Sequence, residues 1–127
     1  MILIFGALLG FISVAFGAYA EHGLREAITE EHFRFLMTAV RYNQVYAVVI
    51  AAIGLALLNS GKLNSILALK WSGLLFIIGT MLFSFSIYLF VLLDLPSLVN
   101  ITPIGGMTIM GAWLLLMVAG VLAWKNS

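Results

Sequence analysis

The chain has 127 residues, 64% of them hydrophobic and only 9% charged, with a mean hydropathy of +1.18. Soluble domains carry roughly 25% charged residues, and a soluble chain this short leaves about 30% of its unfolded surface in water, so lipid is the expected solvent and a water-soluble globule is excluded. Six Lys and Arg face five Asp and Glu with no basic block, which argues against nucleic acid as a partner, and the lack of cysteine excludes disulfides, thiol catalysis and cysteine-ligated metal.

Residues 1–127 are expected to form a single transmembrane domain. Four apolar stretches, about 2–20, 39–58, 71–93 and 104–124, are long enough to cross, which takes about 20 residues in a helix. Hydrocarbon offers no hydrogen bonds to the backbone, so each stretch must close its own as a helix. The short alternating strands of a β-barrel are not found in the sequence. The first stretch ends Ala18-Tyr19-Ala20, a pattern like a signal-peptidase site, but no Lys or Arg precedes it, so it reads as a retained span.

The first connection, residues 21–38, holds four Glu, two Arg and both His. A short amphipathic helix is expected at about 21–28, with Leu24, Ala27 and Ile28 lying on the interface. Thr29 before Glu30 and Glu31 reads as an N-cap with acid in the first turn, so one long helix is expected from Glu30 into the second span. Glu30 and Arg34 stand at i,i+4 in the favourable orientation. Residues 59–65 read as a plain turn and 94–102 as a loop, with Thr102 capping a helix that has Pro103 in its first position. The fold class is therefore an all-α, integral membrane four-helix bundle with a short interfacial amphipathic helix between spans one and two.

Polar and small residues are unevenly placed. Gly6, Gly10, Ser13, Gly17 and Ala20 form one narrow small-residue stripe on span one, read as a packing face within the bundle or as a homodimer face. Span two opens with Arg41, Tyr42, Asn43, Gln44 and Tyr46, and span three closes with Thr80, Ser84, Ser86 and Tyr88. An up-and-down topology brings these groups to one side of the membrane, together with Thr102, Pro103, Gly105, Gly106 and Thr108. The opposite half is nearly all Leu, Ile, Val, Ala and Met. The candidate polar cluster is Glu21, His22, Arg41, Tyr42, Asn43, Tyr46, Ser84 and Tyr88, with Arg41 expected to pair with Glu21. The cluster serves either as interhelical hydrogen bonding or as a site for a lipid headgroup, a small polar ligand or a partner helix. Thr102, Pro103, Gly105 and Gly106 offer helix N-terminal amides or simply close packing.

Catalysis and metal binding find little support. Glu21-His22 and Glu31-His32 lack metal-ligand spacing, and no G-x-S-x-G accompanies Ser84 or Ser86. No Asp or Glu lies mid-span to carry a proton. Basic residues divide three against three between the two sides, so charge alone leaves the orientation open.

Four segments carry a resemblance. Gly17-Ala18-Tyr19-Ala20-Glu21-His22-Gly23-Leu24 resembles G-A-F-G-A-H-G-L, and Arg41-Tyr42-Asn43-Gln44-Val45-Tyr46 resembles a segment with Y-Q-x-x-H. Residues 79–88, with Gly79, Leu82, Phe83, Ser84, Ser86 and Tyr88, resemble G-x-x-L-F-S-G-S-L-Y, and Thr102-Pro103-Ile104-Gly105-Gly106 with Trp113 resembles T-P-x-G-G and a later Trp. In this order they resemble the small bacterial inner-membrane proteins of domain of unknown function 423, also called UPF0382. Tyr46 stands where that family usually has His, so of a two-histidine pair this chain keeps only His22. The resemblance implies four helices with both termini cytoplasmic and implies no activity or cofactor. The expected function is that of a non-enzymatic accessory or scaffold element, or a lipid- or small-ligand-binding element. Its expected partners are membrane lipid and a membrane protein or second copy. The alternative is a small transporter or channel using Glu21, His22 and Arg41.

Overall fold

The structure, a computed structural model, describes residues 1–59 and 62–126. Helix α1 runs Ile2–Tyr19 and continues as wide π-helical turns through Ala20–Leu24. Helix α2 spans Glu30–Ala56 and α3 spans Leu63–Thr80. A second π-helical segment, Met81–Phe85, joins α3 to α4, Ser86–Leu93, and α5 spans Thr102–Lys125. Four helical stretches are long and apolar enough to cross a membrane: Ile2–Leu24, Glu30–Ala56, Leu63–Leu93 and Pro96–Lys125. Among the described residues there is no strand.

Local chemistry explains the start of α2 and the end of α4. The Thr29 side chain accepts the His32 amide at 3.1 Å, and Glu30 and Glu31 occupy the positive end of the helix dipole, so α2 starts where its N-cap signal stands. Asp94 ends α4 in the left-handed region at φ 53°, a conformation that Asp and Asn tolerate better than most residues. A 3-10 helix, Pro96–Asn100, follows within the expected loop. The reading of 59–65 as a turn falls partly on residues 60 and 61, outside the described residues. Of the segment expected as a separate interfacial helix at about 21–28, the part up to Leu24 extends α1 and residues 25–28 form a turn. Leu24 and Ile28 are half-buried against the cluster that holds Phe33 and Leu36, so the bundle end takes up these two side chains, while Ala27 is exposed.

Two antiparallel pairs build the bundle. α1 lies on α2, where a Cβ added to Gly6 would sit 2.6 Å from the Ala51 nitrogen and one added to Gly54 would sit 2.6 Å from the Leu3 nitrogen. The small-residue stripe is therefore occupied within the chain, with Gly10 against Ala47 and Gly17 against Val40. α3 lies on α5 through Gly79 and Gly105, where a Cβ on Gly79 would come 3.0 Å from the Gly105 carbonyl oxygen. Backbone approach of this kind is how membrane helices gain packing energy without a hydrophobic driving force. The outward faces are apolar and open to lipid, as at Ile4, Phe11, Val48, Met107 and Met110. Two buried clusters stack along the bundle. One holds Leu9, Ile50, Phe76 and Ile109 toward the termini, and the other holds Leu36, Ala39, Ile87 and Val91 toward the connection between spans one and two.

Candidate functional site

A layer of buried polar side chains lies between the two apolar clusters. Asn43, Thr80 and Ser84 are each 0% exposed. Asn43 Nδ2 donates to the Tyr88 hydroxyl at 3.0 Å, and Ser84 Oγ donates to the Ala39 carbonyl at 2.8 Å, tying α2 to the third span. Ser86 Oγ donates to the Phe83 carbonyl at 2.9 Å and meets Thr102 Oγ1 at 2.7 Å, tying the same span to α5. Two residues apart on a helix, Ser84 and Ser86 point to opposite sides and so reach different neighbours. Asn43 Oδ1 and Thr80 Oγ1 are buried without a protein partner. Aromatic rings frame the layer, with Tyr88 stacked on Phe16 at 4.0 Å and Tyr42 stacked on Phe83 at 4.3 Å. Trp113 Nε1 donates to the Tyr46 hydroxyl at 3.1 Å.

The eight residues of the expected cluster thus part into two groups. Asn43, Ser84 and Tyr88 are buried and engaged between helices, with Tyr42 and Tyr46 half-buried among the aromatics. Glu21, His22 and Arg41 are exposed. The expected Glu21–Arg41 pair is not formed. Glu21 is held by Arg25 at 2.9 Å, one turn away on the same stretch, and that is the single ion pair among the described residues. A partner at i+4 is already within reach, whereas Arg41 would have to turn inward from an exposed face of α2. The expected Glu30–Arg34 pair is likewise absent among the described residues.

Thr102 does not cap α5 through its side chain. The N-cap is Ile101, Pro103 sits within the first two helical positions, and the Thr102 hydroxyl faces Ser86. Gly105 is buried against Phe83 and Gly79, whereas a Cβ on Gly106 would find only Phe83 Cδ2, at 3.9 Å. The opposite half of the bundle is less featureless than its sequence reads, because Ser72 is fully buried and donates to the Ala112 carbonyl at 2.9 Å. Among the described residues no three of His, Asp and Glu gather to hold a metal ion.

One surface feature escaped the sequence reading. A groove of about 580 Å³ opens between the first turns of α2 and the α4–3-10 corner, lined by Glu31, His32, Arg34, Phe35, Thr38, Phe90 and Val99. Phe90 is central to it, 5.3 Å edge-on from His32 and 5.8 Å from Phe35. Thr38 Oγ1 donates to the Arg34 carbonyl. Positions 31, 34, 35 and 38 have helical spacing and share one face of α2, a legible signal masked by the mixed chemistry of the four side chains.

A family model described as "Protein of unknown function (DUF423)" matches residues 16–106, which include the polar layer and the groove. The chain belongs to the DUF423 family. Among its DUF423 relatives it is 31% identical to the UPF0382 membrane protein SH2409 of Staphylococcus haemolyticus, covering 94% of this chain and 93% of that one. It is 31% identical to the UPF0382 inner membrane protein YgdD of Escherichia coli K12, over 94% and 88% of the two chains. It is 29% identical to the UPF0382 membrane protein YwdK of Bacillus subtilis, over 94% of each. No solved structure matches. The chain is a DUF423 membrane protein, and the family's description assigns it no function.

Proposed function

We propose that this DUF423 protein is a non-enzymatic accessory element of the bacterial cytoplasmic membrane that holds a phospholipid at its polar end, with both termini on the cytoplasmic side. The observation that carries this reading is the groove between α2 and the α4–3-10 corner. Its apolar lining is Phe35, Phe90 and Val99, all half-buried, and its polar lining is Glu31, His32, Arg34 and Thr38. Residues 31–38 are the two turns before the stretch expected to enter hydrocarbon at about 39, which supports a position of the groove at headgroup depth, where acyl chain and phosphate are both at hand. Wide π turns at 20–24 and 81–85 support a functional reading of this half of the molecule, since such turns are rare and frequent at functional sites.

The buried layer is better read as the frame of the bundle. Its serines and Asn43 are engaged by neighbouring helices, and membrane interhelical hydrogen bonds of this kind average about 0.6 kcal/mol each. Coupled transport through Glu21, His22 and Arg41 would need those groups inside the bundle, and all three are exposed.

The reading is tested by gentle purification from native membrane followed by native mass spectrometry. A phospholipid retained on the wild-type chain and depleted in an Arg34→Gln, Phe90→Ala double variant is the expected result; a wild-type chain carrying no lipid contradicts it. For orientation, a cysteine placed at Asn126 in this cysteine-free chain should be shielded from an impermeant thiol reagent in intact cells. Labelling from outside would reverse the assignment.

A further inference from the structure

We propose that the groove selects a phospholipid whose headgroup carries both a phosphate and a primary ammonium. This inference rests on the lipid-binding reading above and names the lipid class. Glu31 and Arg34 are three residues apart on the first turns of α2, and both line the groove and are exposed. Neither has an ionic partner among the described residues, where the one ion pair is Arg25–Glu21. The groove therefore presents an anion and a cation on one face of α2, neither of them held in an ion pair, together with apolar Phe35, Phe90 and Val99. An ethanolamine phospholipid presents the complement: a phosphate for the planar guanidinium fork of Arg34 and an N–H-bearing ammonium for the carboxylate of Glu31. Its acyl chain would lie along Phe35, Phe90 and Val99.

The alternatives fit less well on the same chemistry. The end of the molecule that holds the groove carries five carboxylates, at Glu21, Glu26, Glu30, Glu31 and Asp94, against three guanidinium groups, at Arg25, Arg34 and Arg41. That field disfavours a purely anionic headgroup. A choline headgroup has no N–H to donate to Glu31, and its methyl groups hold the charge away from the carboxylate. Thr38 takes no part in recognition through its hydroxyl proton, which is directed to the Arg34 carbonyl.

The test uses the full chain in detergent, exchanged against vesicles of dioleoyl phosphatidylethanolamine, phosphatidylcholine or phosphatidylglycerol and read by native mass spectrometry. The wild type is expected to retain the ethanolamine lipid over the other two. Arg34→Gln should weaken retention of all three by about threefold to fivefold, whereas Glu31→Gln should erase the preference for ethanolamine over choline without loss of lipid binding. Both positions are exposed, so a size-exclusion profile like that of the wild type establishes that the variants are folded. Equal retention of the three lipids, or a preference for phosphatidylglycerol, overturns the selectivity and leaves lipid binding standing. Retention of none of them overturns the lipid-binding reading itself.

Discussion

The polar residues of this chain differ in what they do according to what surrounds them. Asn43 Nδ2 donates to the Tyr88 hydroxyl across two helices although its own Oδ1 is unmatched, whereas Thr80 Oγ1, the only polar atom of its side chain, is buried with no protein partner. The two positions should therefore respond in opposite ways. Asn43→Ala removes the donor to a buried phenol and is expected to destabilise by about 1–3 kcal/mol, while Thr80→Val removes an unmatched hydroxyl at constant shape and is expected to be neutral or stabilising by about 1 kcal/mol. Reversible unfolding in mixed micelles measures both; a Thr80→Val variant as damaged as Asn43→Ala would mean that the hydroxyl has an essential partner. Asn43, Ser84 and Tyr88 stood out in the sequence because polar groups are conspicuous among Ile, Leu and Phe. Their pairing was not legible, because each partner lies 45 residues away and is set by how α2 and the third span meet. The expected Glu21–Arg41 pair fails to form for a different reason. Arg41 is a distant partner for Glu21, and Arg25 is a near one at i+4.

Among the helices, length and hydropathy made the four crossings legible, and the Thr29 cap made the start of α2 legible almost to the residue. The helix of the third span begins at Leu63, ahead of the apolar stretch that starts near 71, because Asn64, Ser65 and Lys70 lower the hydropathy of a segment that is nonetheless helical. Packing between helices was legible only as a list of small residues. The structure separates the glycines that matter from those that do not. At Gly105 an added side chain meets the Phe83 nitrogen and the Gly79 carbonyl, whereas at neighbouring Gly106 it meets one ring carbon at 3.9 Å. Gly105→Val is expected to force α3 and α5 apart and to destabilise by about 3 kcal/mol or prevent folding. Gly106→Ala should stay within about 0.5 kcal/mol of the wild type. Thermal stability in detergent distinguishes them, and equal tolerance of both substitutions would contradict the close approach of the two helices.

For the molecule as a whole, two apolar clusters joined by a buried hydrogen-bonded layer make a frame, and the frame presents one amphiphilic groove at the polar end. The groove brings three elements together, α2, α4 and the 3-10 corner. That is why Phe90 and Val99, two ordinary apolar residues in the sequence, gave no sign of it. The left-handed turn at Asp94 folds the chain back so that Val99 reaches the same groove as Phe90. The most direct test is photo-crosslinking in reconstituted membranes, with a phospholipid carrying a diazirine near its headgroup and with the labelled peptides mapped by mass spectrometry. The account predicts adducts concentrated on residues 31–38 and around Phe90 and Val99, reduced in the Arg34→Gln, Phe90→Ala variant. Adducts spread evenly around the headgroup-level surface of the bundle, unchanged by that variant, would contradict it.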